Sequence, residues 1–202
     1  MKYILASSSP RRKDLLSMFD LKVDCISHSF DEKSVTLHIS PEEYCESISK
    51  GKAESVQDRC QDDIIISADT IVVLDGQILE KPDSKEEAIS MLNVLSGKEH
   101  LVITSTTIIC KTKDINFSFT EKTLVSFNKL DSNIIEYYVQ KYSPLDKSGS
   151  YGIQDFSSIF VKSIKGCFFN VVGLPLSSLF YHLNKLGLIR FSLNSNNRID
   201  KL

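Results

Sequence analysis

The 202-residue sequence has no excess of charge of one sign, because 24 Lys and Arg stand against 26 Asp and Glu. Dedicated nucleic-acid binders usually carry a basic excess, so the net charge of −2 argues against a nucleic-acid partner. Collagen-like repeats and low-complexity tracts are missing, and 42% hydrophobic residues exclude a largely disordered chain. The length suits one folded domain with room for two lobes.

An obvious membrane segment is also missing. The N-terminus turns polar after residue 6, whereas a signal peptide has a long apolar core. Residues 166–183 contain no Asp, Glu, Lys or Arg and approach the length of a transmembrane helix. Gly173, Leu174 and Pro175 lie within this stretch and favour a strand, a turn and a helix start instead. We therefore expect no membrane partner.

Cysteine and histidine patterns for metal binding are absent as well. The five scattered cysteines include no C-x-x-C pair, and the four histidines form no H-E-x-x-H motif. This usage is typical of reduced thiols in a cytoplasmic protein. A catalytic Cys–His pair stays open, although no local motif supports it.

Strand and helix patterns alternate along the chain, which predicts an α/β architecture with a mixed sheet. Apolar or β-branched runs predict strands at 2–6, 22–26, 64–74, 101–110, 117–127, 158–164 and 168–172. Helices are predicted to begin at Ser9-Pro10, Ser40-Pro41 and Ser84, and to lie at 132–141 and 176–185. Residues 1–189 are expected to form a single domain, and the polar residues 190–202 a frayed tail.

Asp69 is the least expected residue, because it interrupts the β-branched run 64–74. A buried carboxylate is costly without a partner, so Asp69 either has a structural partner or faces a cleft at a functional site. Asp31 and Glu32 form a second acidic pair, which by itself predicts only a solvated loop.

The segment Ser7-Ser8-Ser9-Pro10-Arg11-Arg12 joins a predicted strand to a helix N-terminus. Unpaired N–H groups and the positive end of the helix dipole attract anions there. The hydroxyls of Ser7 and Ser9 with the guanidiniums of Arg11 and Arg12 are suited to bind phosphate. The alternative is an ordinary capped helix with two surface arginines.

Lys52 shares one helix face with Tyr44, Ile48 and Val56. It therefore projects close to the apolar stripe, and its ammonium either reaches solvent or points into a cleft. Lys81 precedes a proline, and Lys147 lies in the glycine-bearing loop 146–154. Neither of these two lysines is informative alone.

Gln154 ends that loop. Its amide offers both a donor and an acceptor, as the edge of a nucleobase requires, and the glycines allow close backbone approach to a flat ligand. An ordinary surface turn is the alternative.

Taken in order, these segments resemble the Maf family of nucleoside triphosphate pyrophosphatases. The resemblance covers residues 3–188. The matching blocks are 7–12, 31–32, Lys52, 68–70, 81–82, 96–98 with His100, 146–154, and 173–175.

The resemblance implies a two-lobed α/β fold similar to inosine triphosphatases, with the active site in a cleft between the lobes. It also implies hydrolysis of a nucleoside triphosphate to the monophosphate and pyrophosphate with a divalent cation, Mg²⁺ or Mn²⁺. Asp69 matches the catalytic acidic position, and Glu32, Lys52 and Lys81 match the other catalytic positions. Glu32 and Asp69 have the oxygen ligands that such a cation prefers, while Asp69 has the alternative role of activating the water itself.

Arg11, Thr70 and Gln154 match positions tied to base choice, and their pattern resembles the dTTP/UTP branch of the family. The alternatives are 7-methyl-GTP specificity, or a regulatory role in septum formation through binding alone. Homodimers are common in the family. Ser67, Ser148 and Asp155 depart from the family pattern, which has glycine, alanine and glycine there.

Overall fold

The computed structural model describes residues 1–18, 21–35, 40–190 and 200–201. Strands β1–β9 are Tyr3–Ala6, Val23–Ile26, Ile64–Leu74, Gln77–Leu79, Glu99–Cys110, Ile115–Phe127, Val161–Lys165, Ile189–Arg190 and Asp200–Lys201. Helices α1–α6 are Pro10–Ser17, Pro41–Gln57, Lys85–Leu95, Ser132–Tyr142, Phe168–Val172 and Leu176–Lys185. None of the helices within these ranges is long and apolar enough to cross a membrane.

The main sheet is mixed, which confirms the predicted α/β class. Its strand order is β2-β1-β3-β5-β6-β7, with β4 also paired to β3. The pairs β1–β2 and β1–β3 are parallel, whereas the pairs of β3 with β4 and β5, β5 with β6, and β6 with β7 are antiparallel.

Strand β3 lies inside the main sheet between β1 and β5, and its two faces contact different helices. Ile65, Ile71 and Val73 face α2, where they pack with residues such as Ala53 and Ile48. Ile64, Ile66 and Ala68 point to the other face and pack in a cluster with α1 and α6, and Val72 and Leu74 pack in a cluster with α3 and α4. This alternation explains why 64–74 reads as a nearly continuous apolar run.

The sequence predicts capping boxes at Ser40–Glu43 and Ser84–Glu87, and only the first is complete in the structure. The Ser40 hydroxyl accepts from the Glu43 N–H, and the Glu43 carboxylate accepts from the Ser40 N–H, which confirms a capping box. At α3 the Ser84 hydroxyl accepts from the Glu87 N–H, but the Glu87 carboxylate binds the Asp83 N–H instead. Helix α1 begins at Pro10 without a side-chain cap from Ser9.

The predicted strand at 168–172 is wrong, because these residues form helix α5. The valines at its end favour a strand locally, but buried Asn170 donates to the Val102 carbonyl and to Thr123 Oγ1. The preceding strand begins at Val161 rather than 158, after a 3₁₀ helix at Phe156–Phe160. Most of the predicted tail 190–202 lies outside the described residues, and Ile189–Arg190 pairs with Asp200–Lys201.

Candidate active site

One edge of β3 is open in the middle of the strand. Strand β1 pairs with β3 at Ile64–Ile66, and β4 pairs with the same edge at residues 72–74. Between them, no described strand covers 67–71 on this edge, and Asp69 lies at the centre of the gap. Strands β1 and β4 both have their C-terminal ends at this gap, where the chain leaves the sheet at Ser7 and at Glu80. The sheet topology therefore brings the segments that follow β1 and β4 close together.

A cavity of about 270 Å³ lies at this gap. All the site residues predicted from the sequence line it, namely Ser7, Ser9, Arg11, Arg12, Glu32, Lys52, Asp69, Thr70, Lys81, Lys147 and Gln154. The fold therefore gathers them around one space, although their chemical roles stay predictions.

Lys52 connects the two acidic positions. Its ammonium is buried and lies 2.7 Å from Asp69 Oδ1 and 3.1 Å from Glu32 Oε1. Lys81 Nζ lies 3.6 Å from Glu32 Oε2. Lys52 thus points inward rather than to solvent, and Asp69 has the partner that its burial requires.

Glu32 belongs to this charge cluster and not to a solvated loop. Its neighbour Asp31 caps the 3₁₀ helix Glu32–Ser34 by accepting from the Lys33 N–H, and the Glu32 carboxylate lies 3.1 Å from the Lys52 ammonium. Burial would raise the pKa of Glu32, but the charges of Lys52 and Lys81 outweigh it and lower that pKa below its ordinary value. Glu32 is therefore ionised at neutral pH.

Arg12 is anchored inside the fold rather than free on the surface. Its Nε donates to the Gly173 carbonyl at 2.8 Å, and its Nη2 donates to Thr70 Oγ1 at 3.0 Å. Its Nη1 lies 3.3 Å from Ser7 Oγ. Gly173 has φ +121°, a backbone conformation that residues with a side chain rarely adopt. In this conformation the Gly173 carbonyl points toward the Arg12 guanidinium.

Thr70 is fixed from two sides. Besides accepting from Arg12, its hydroxyl lies 2.9 Å from the Thr104 hydroxyl, which donates to the Asn170 carbonyl. The hydrogen bond between Arg12 and Thr70 could not be predicted from the sequence, because the two residues lie far apart in the chain.

Arg11 and Lys147 lie at the rim of the cavity and share one carboxylate. Arg11 Nη1 is 2.7 Å from Asp146 Oδ2, and Lys147 Nζ is 2.9 Å from Asp146 Oδ1. Both side chains are more exposed than that of Lys52. Asp146 therefore partly balances the charge of both cations.

The loop that carries Lys147 and Gln154 is held against β3 and β4. Ser148 Oγ accepts from the Val72 N–H at 3.0 Å and donates to the Leu79 carbonyl at 2.5 Å. Gly149 has φ +66°, and a Cβ there would lie 2.9 Å from Val72 Cγ2. Gln154 is exposed at the cavity, and its amide makes no hydrogen bond with any residue that the structure describes.

Two histidines near the cavity were not predicted. His28 lines it, with Nε2 3.7 Å from Glu32 Oε1, and burial lowers the pKa of His28. His100 is buried against the loop 146–154, where its Nε2 lies 2.7 Å from the Tyr151 hydroxyl. No local motif marks His28, whereas His100 lies in one of the segments that carry the family resemblance.

The His100 environment predicts a pH effect on stability. Burial lowers the pKa of His100 to about 4, so the folded protein holds it neutral while the unfolded chain protonates near its ordinary value of 6.5. Its stabilising contribution is present above pH 6.5 and is lost as the pH falls toward 4, by about 3 kcal/mol in total. The His100→Gln variant lacks this titration.

Chemical denaturation of both proteins from pH 7 to pH 4 measures the effect. The difference in free energy of unfolding between the wild type and His100→Gln should shrink over this range. A constant difference would mean that His100 is not held neutral in the fold.

The donor set fits a divalent cation that takes further ligands from a substrate. Within the described ranges, no group of three or more His, Cys, Asp or Glu residues has a geometry for metal binding. Mg²⁺ is usually held by one or two carboxylates together with phosphate oxygens and water, and Glu32 and Asp69 provide two carboxylates at the cavity.

The protein is therefore an α/β protein with a polar cavity. The cavity combines two carboxylates around a buried lysine with serine hydroxyls and arginines, a set of groups that suits a phosphate-bearing ligand. Comparison with known proteins gives the family: the chain belongs to the Maf family, whose model, described as "Maf-like protein", matches residues 2–186. The family expectation from the sequence is therefore confirmed.

Several curated relatives carry the name dTTP/UTP pyrophosphatase. The protein of Clostridium botulinum (strain Alaska E43) is 44% identical over 180 residues, covering 89% of this chain and 96% of the relative. That of Thermotoga maritima is 44% identical over 190 residues, covering 93% and 90% of the two chains. That of Chlamydia caviae is 42% identical over 192 residues, covering 95% and 94%.

Among solved structures, the dITP/XTP pyrophosphatase of Mycobacterium abscessus is similar with a TM-score of 0.46 and 11% identity. The match covers 93% of this chain and 97% of that one. The Ham1 protein of Staphylococcus aureus is similar with a TM-score of 0.44 and 15% identity, covering 63% and 72%.

Proposed function

We propose that this protein hydrolyses dTTP and UTP to the nucleoside monophosphate and pyrophosphate. The observation that carries the proposal is the buried Lys52, which joins Asp69 and Glu32 at a cavity with Arg11 and Lys147 at its rim. Curated relatives of 42–44% identity over most of the chain carry the name of this activity. The catalytic domain is proposed to be 1–189, with its cleft between two lobes.

The reaction requires attack of water on the α-phosphorus while pyrophosphate leaves, and positioning and charge stabilisation dominate such steps. In the proposed mechanism Asp69 accepts the proton of the attacking water. Lys52 orients the Asp69 carboxylate, since its ammonium lies 2.7 Å from Oδ1. In the alternative mechanism, Asp69 would join Glu32 in holding a Mg²⁺ or Mn²⁺, which would neutralise charge on the triphosphate.

The remaining cations bind the triphosphate in this proposal. Arg11 and Lys147 exchange the Asp146 carboxylate for phosphate oxygens, and Lys81 approaches from the Glu32 side. Ser7 and Ser9 at the start of α1 supply hydroxyl and backbone donors. Arg12 keeps three anchoring contacts, so its charge is fixed at the base of the site.

Base choice is assigned to Gln154 because its exposed amide is free at the cavity. An amide donates to O4 and accepts from N3–H of uracil or thymine, whereas cytosine presents the opposite pattern. We expect Gln154→Ala to narrow the preference for dTTP over CTP by about tenfold to a hundredfold. Measuring kcat/KM for dTTP, UTP and CTP with both proteins checks this, and an unchanged dTTP/CTP ratio would remove Gln154 from base reading.

The proposed activity is tested by pyrophosphate release from dTTP, UTP, CTP and 7-methyl-GTP, with and without Mn²⁺. We expect turnover of dTTP and UTP above that of the other two, and dependence on the cation. Preference for 7-methyl-GTP, or binding without turnover, would contradict the proposal. We further propose that the enzyme acts on free nucleotides in the cytoplasm and forms a homodimer. We propose no nucleic-acid or membrane partner.

A further inference from the structure

Gln154 lies at the third position of a tight turn. The Asp155 N–H donates to the Gly152 carbonyl at 3.4 Å, which closes the turn over residues 152–155. Because the Gln154 side chain has no partner among the described residues, its direction depends on the backbone of this turn. Whatever fixes Gly152 and Asp155 therefore fixes the backbone from which the Gln154 side chain projects.

The buried hydroxyl of Ser157 contacts both ends of this turn. Gly152 N–H donates to Ser157 Oγ at 3.0 Å, and the Gly152 carbonyl oxygen lies 2.9 Å from the same atom. Asp155 Oδ1 lies 2.5 Å from Oγ and also accepts from the Ser157 N–H at 3.0 Å. The hydroxyl has a single proton, and the carboxylate is the charged acceptor at the shorter distance, so the proton goes to the contact with Asp155 Oδ1.

Two further contacts anchor this arrangement. The Tyr138 hydroxyl lies 3.2 Å from Ser157 Oγ, inside the aromatic cluster of α4. On the cavity side, Asp155 Oδ2 lies 3.7 Å from Lys147 Nζ. A Cβ on Gly152 would lie 2.9 Å from Asp155 Oδ2, so the glycine lets the carboxylate approach the turn without a side-chain shift.

We propose that Asp155 and Ser157 form a side-chain staple that positions Gln154 and thereby sharpens discrimination between pyrimidine bases. The inference rests on the proposed function, since it concerns the base that the cavity accepts. Both are positioning residues, because neither needs to touch the base.

The test measures equilibrium binding of the non-hydrolysable α,β-imido analogues of dTTP and CTP, with kcat and KM for dTTP beside it. The variants are Asp155→Gly and Ser157→Ala, which break the staple, and Asp155→Asn, which keeps an oxygen that accepts from Ser157. Asp131→Gly is the matched control, because Asp131 Oδ1 accepts from the Asn133 N–H in the same local geometry at the start of α4, outside the cavity. Thermal unfolding of every variant shows that it folds.

We expect Asp155→Gly and Ser157→Ala to reduce the ratio of dTTP-analogue to CTP-analogue affinity by about three- to tenfold, as expected for one hydrogen bond. In these two variants KM for dTTP should rise by a larger factor than kcat falls. Asp155→Asn should retain most of the wild-type ratio, and Asp131→Gly all of it.

An unchanged ratio in both Asp155→Gly and Ser157→Ala overturns the staple while leaving the proposed function standing. An equal fall in Asp131→Gly also overturns it, because the effect would then follow general destabilisation. A wild-type protein that binds both analogues equally, or neither, overturns base discrimination itself together with the staple.

Discussion

Asp69→Asn is expected to lower pyrophosphate release from dTTP by about 10²- to 10⁴-fold, the range for loss of one acid–base group. Asparagine keeps the shape of the side chain but loses its charge and its ability to accept a proton. Asp69 lies at the open edge of β3, 2.7 Å from the Lys52 ammonium, so no other described carboxylate takes its place in the strand.

The matched control for this variant is Asp63→Asn. Asp63 Oδ1 accepts from the Lys2 N–H just before β3 begins, and Asp63 does not line the cavity. Steady-state kinetics and thermal unfolding of both variants are the measurement. Turnover by Asp69→Asn within about threefold of the wild type, small beside the range above, would remove Asp69 from the chemistry.

Lys52→Met is expected to affect both catalysis and stability. The substitution preserves packing in the apolar surroundings but leaves Asp69 and Glu32 without the ammonium that lies between them. Breaking a buried ion pair typically costs about 3–5 kcal/mol, and the site also loses a positive charge for the triphosphate. We expect a fall in kcat/KM of at least about 10²-fold, as for loss of one positioned charge.

The loss of stability should depend on pH. Lys52 lowers the pKa of Glu32, so this contribution is present above the ordinary carboxyl pKa and is lost as the pH falls through the lowered value. The stability difference between wild type and Lys52→Met should therefore shrink below about pH 4. Lys50→Met on the exposed side of the same helix is the control, and identical behaviour of the two variants would contradict a buried role for Lys52.

Local features of the sequence predicted much of the fold. The bounds 64–74 of β3 were predicted from its β-branched run, and the start of α2 from the Ser40–Glu43 capping box. The helix face shared with Ile48 also predicted correctly that the Lys52 side chain lies close to the apolar stripe, and left open whether its ammonium reaches solvent or a cleft. These features are encoded within a few residues.

Contacts between distant segments could not be predicted in this way. Arg12 and Gly173 lie far apart in the chain, and the packing of α5 against α1, β5 and β6 brings the Gly173 carbonyl to the Arg12 guanidinium. The same packing explains why 168–172 is a helix although Val171 and Val172 favour a strand. Likewise, the gap in the edge of β3 arises from the positions of β1 and β4, which no local pattern specifies.

Hydrolysis of dTTP in H₂¹⁸O, with both products analysed by mass spectrometry, tests the proposed reaction most directly. Attack of water on the α-phosphorus places one ¹⁸O in dTMP and leaves pyrophosphate unlabelled. We expect this pattern with the wild-type protein and its loss, together with turnover, in Asp69→Asn. Label in pyrophosphate, release of dTDP and phosphate, or no hydrolysis of dTTP and UTP would contradict it.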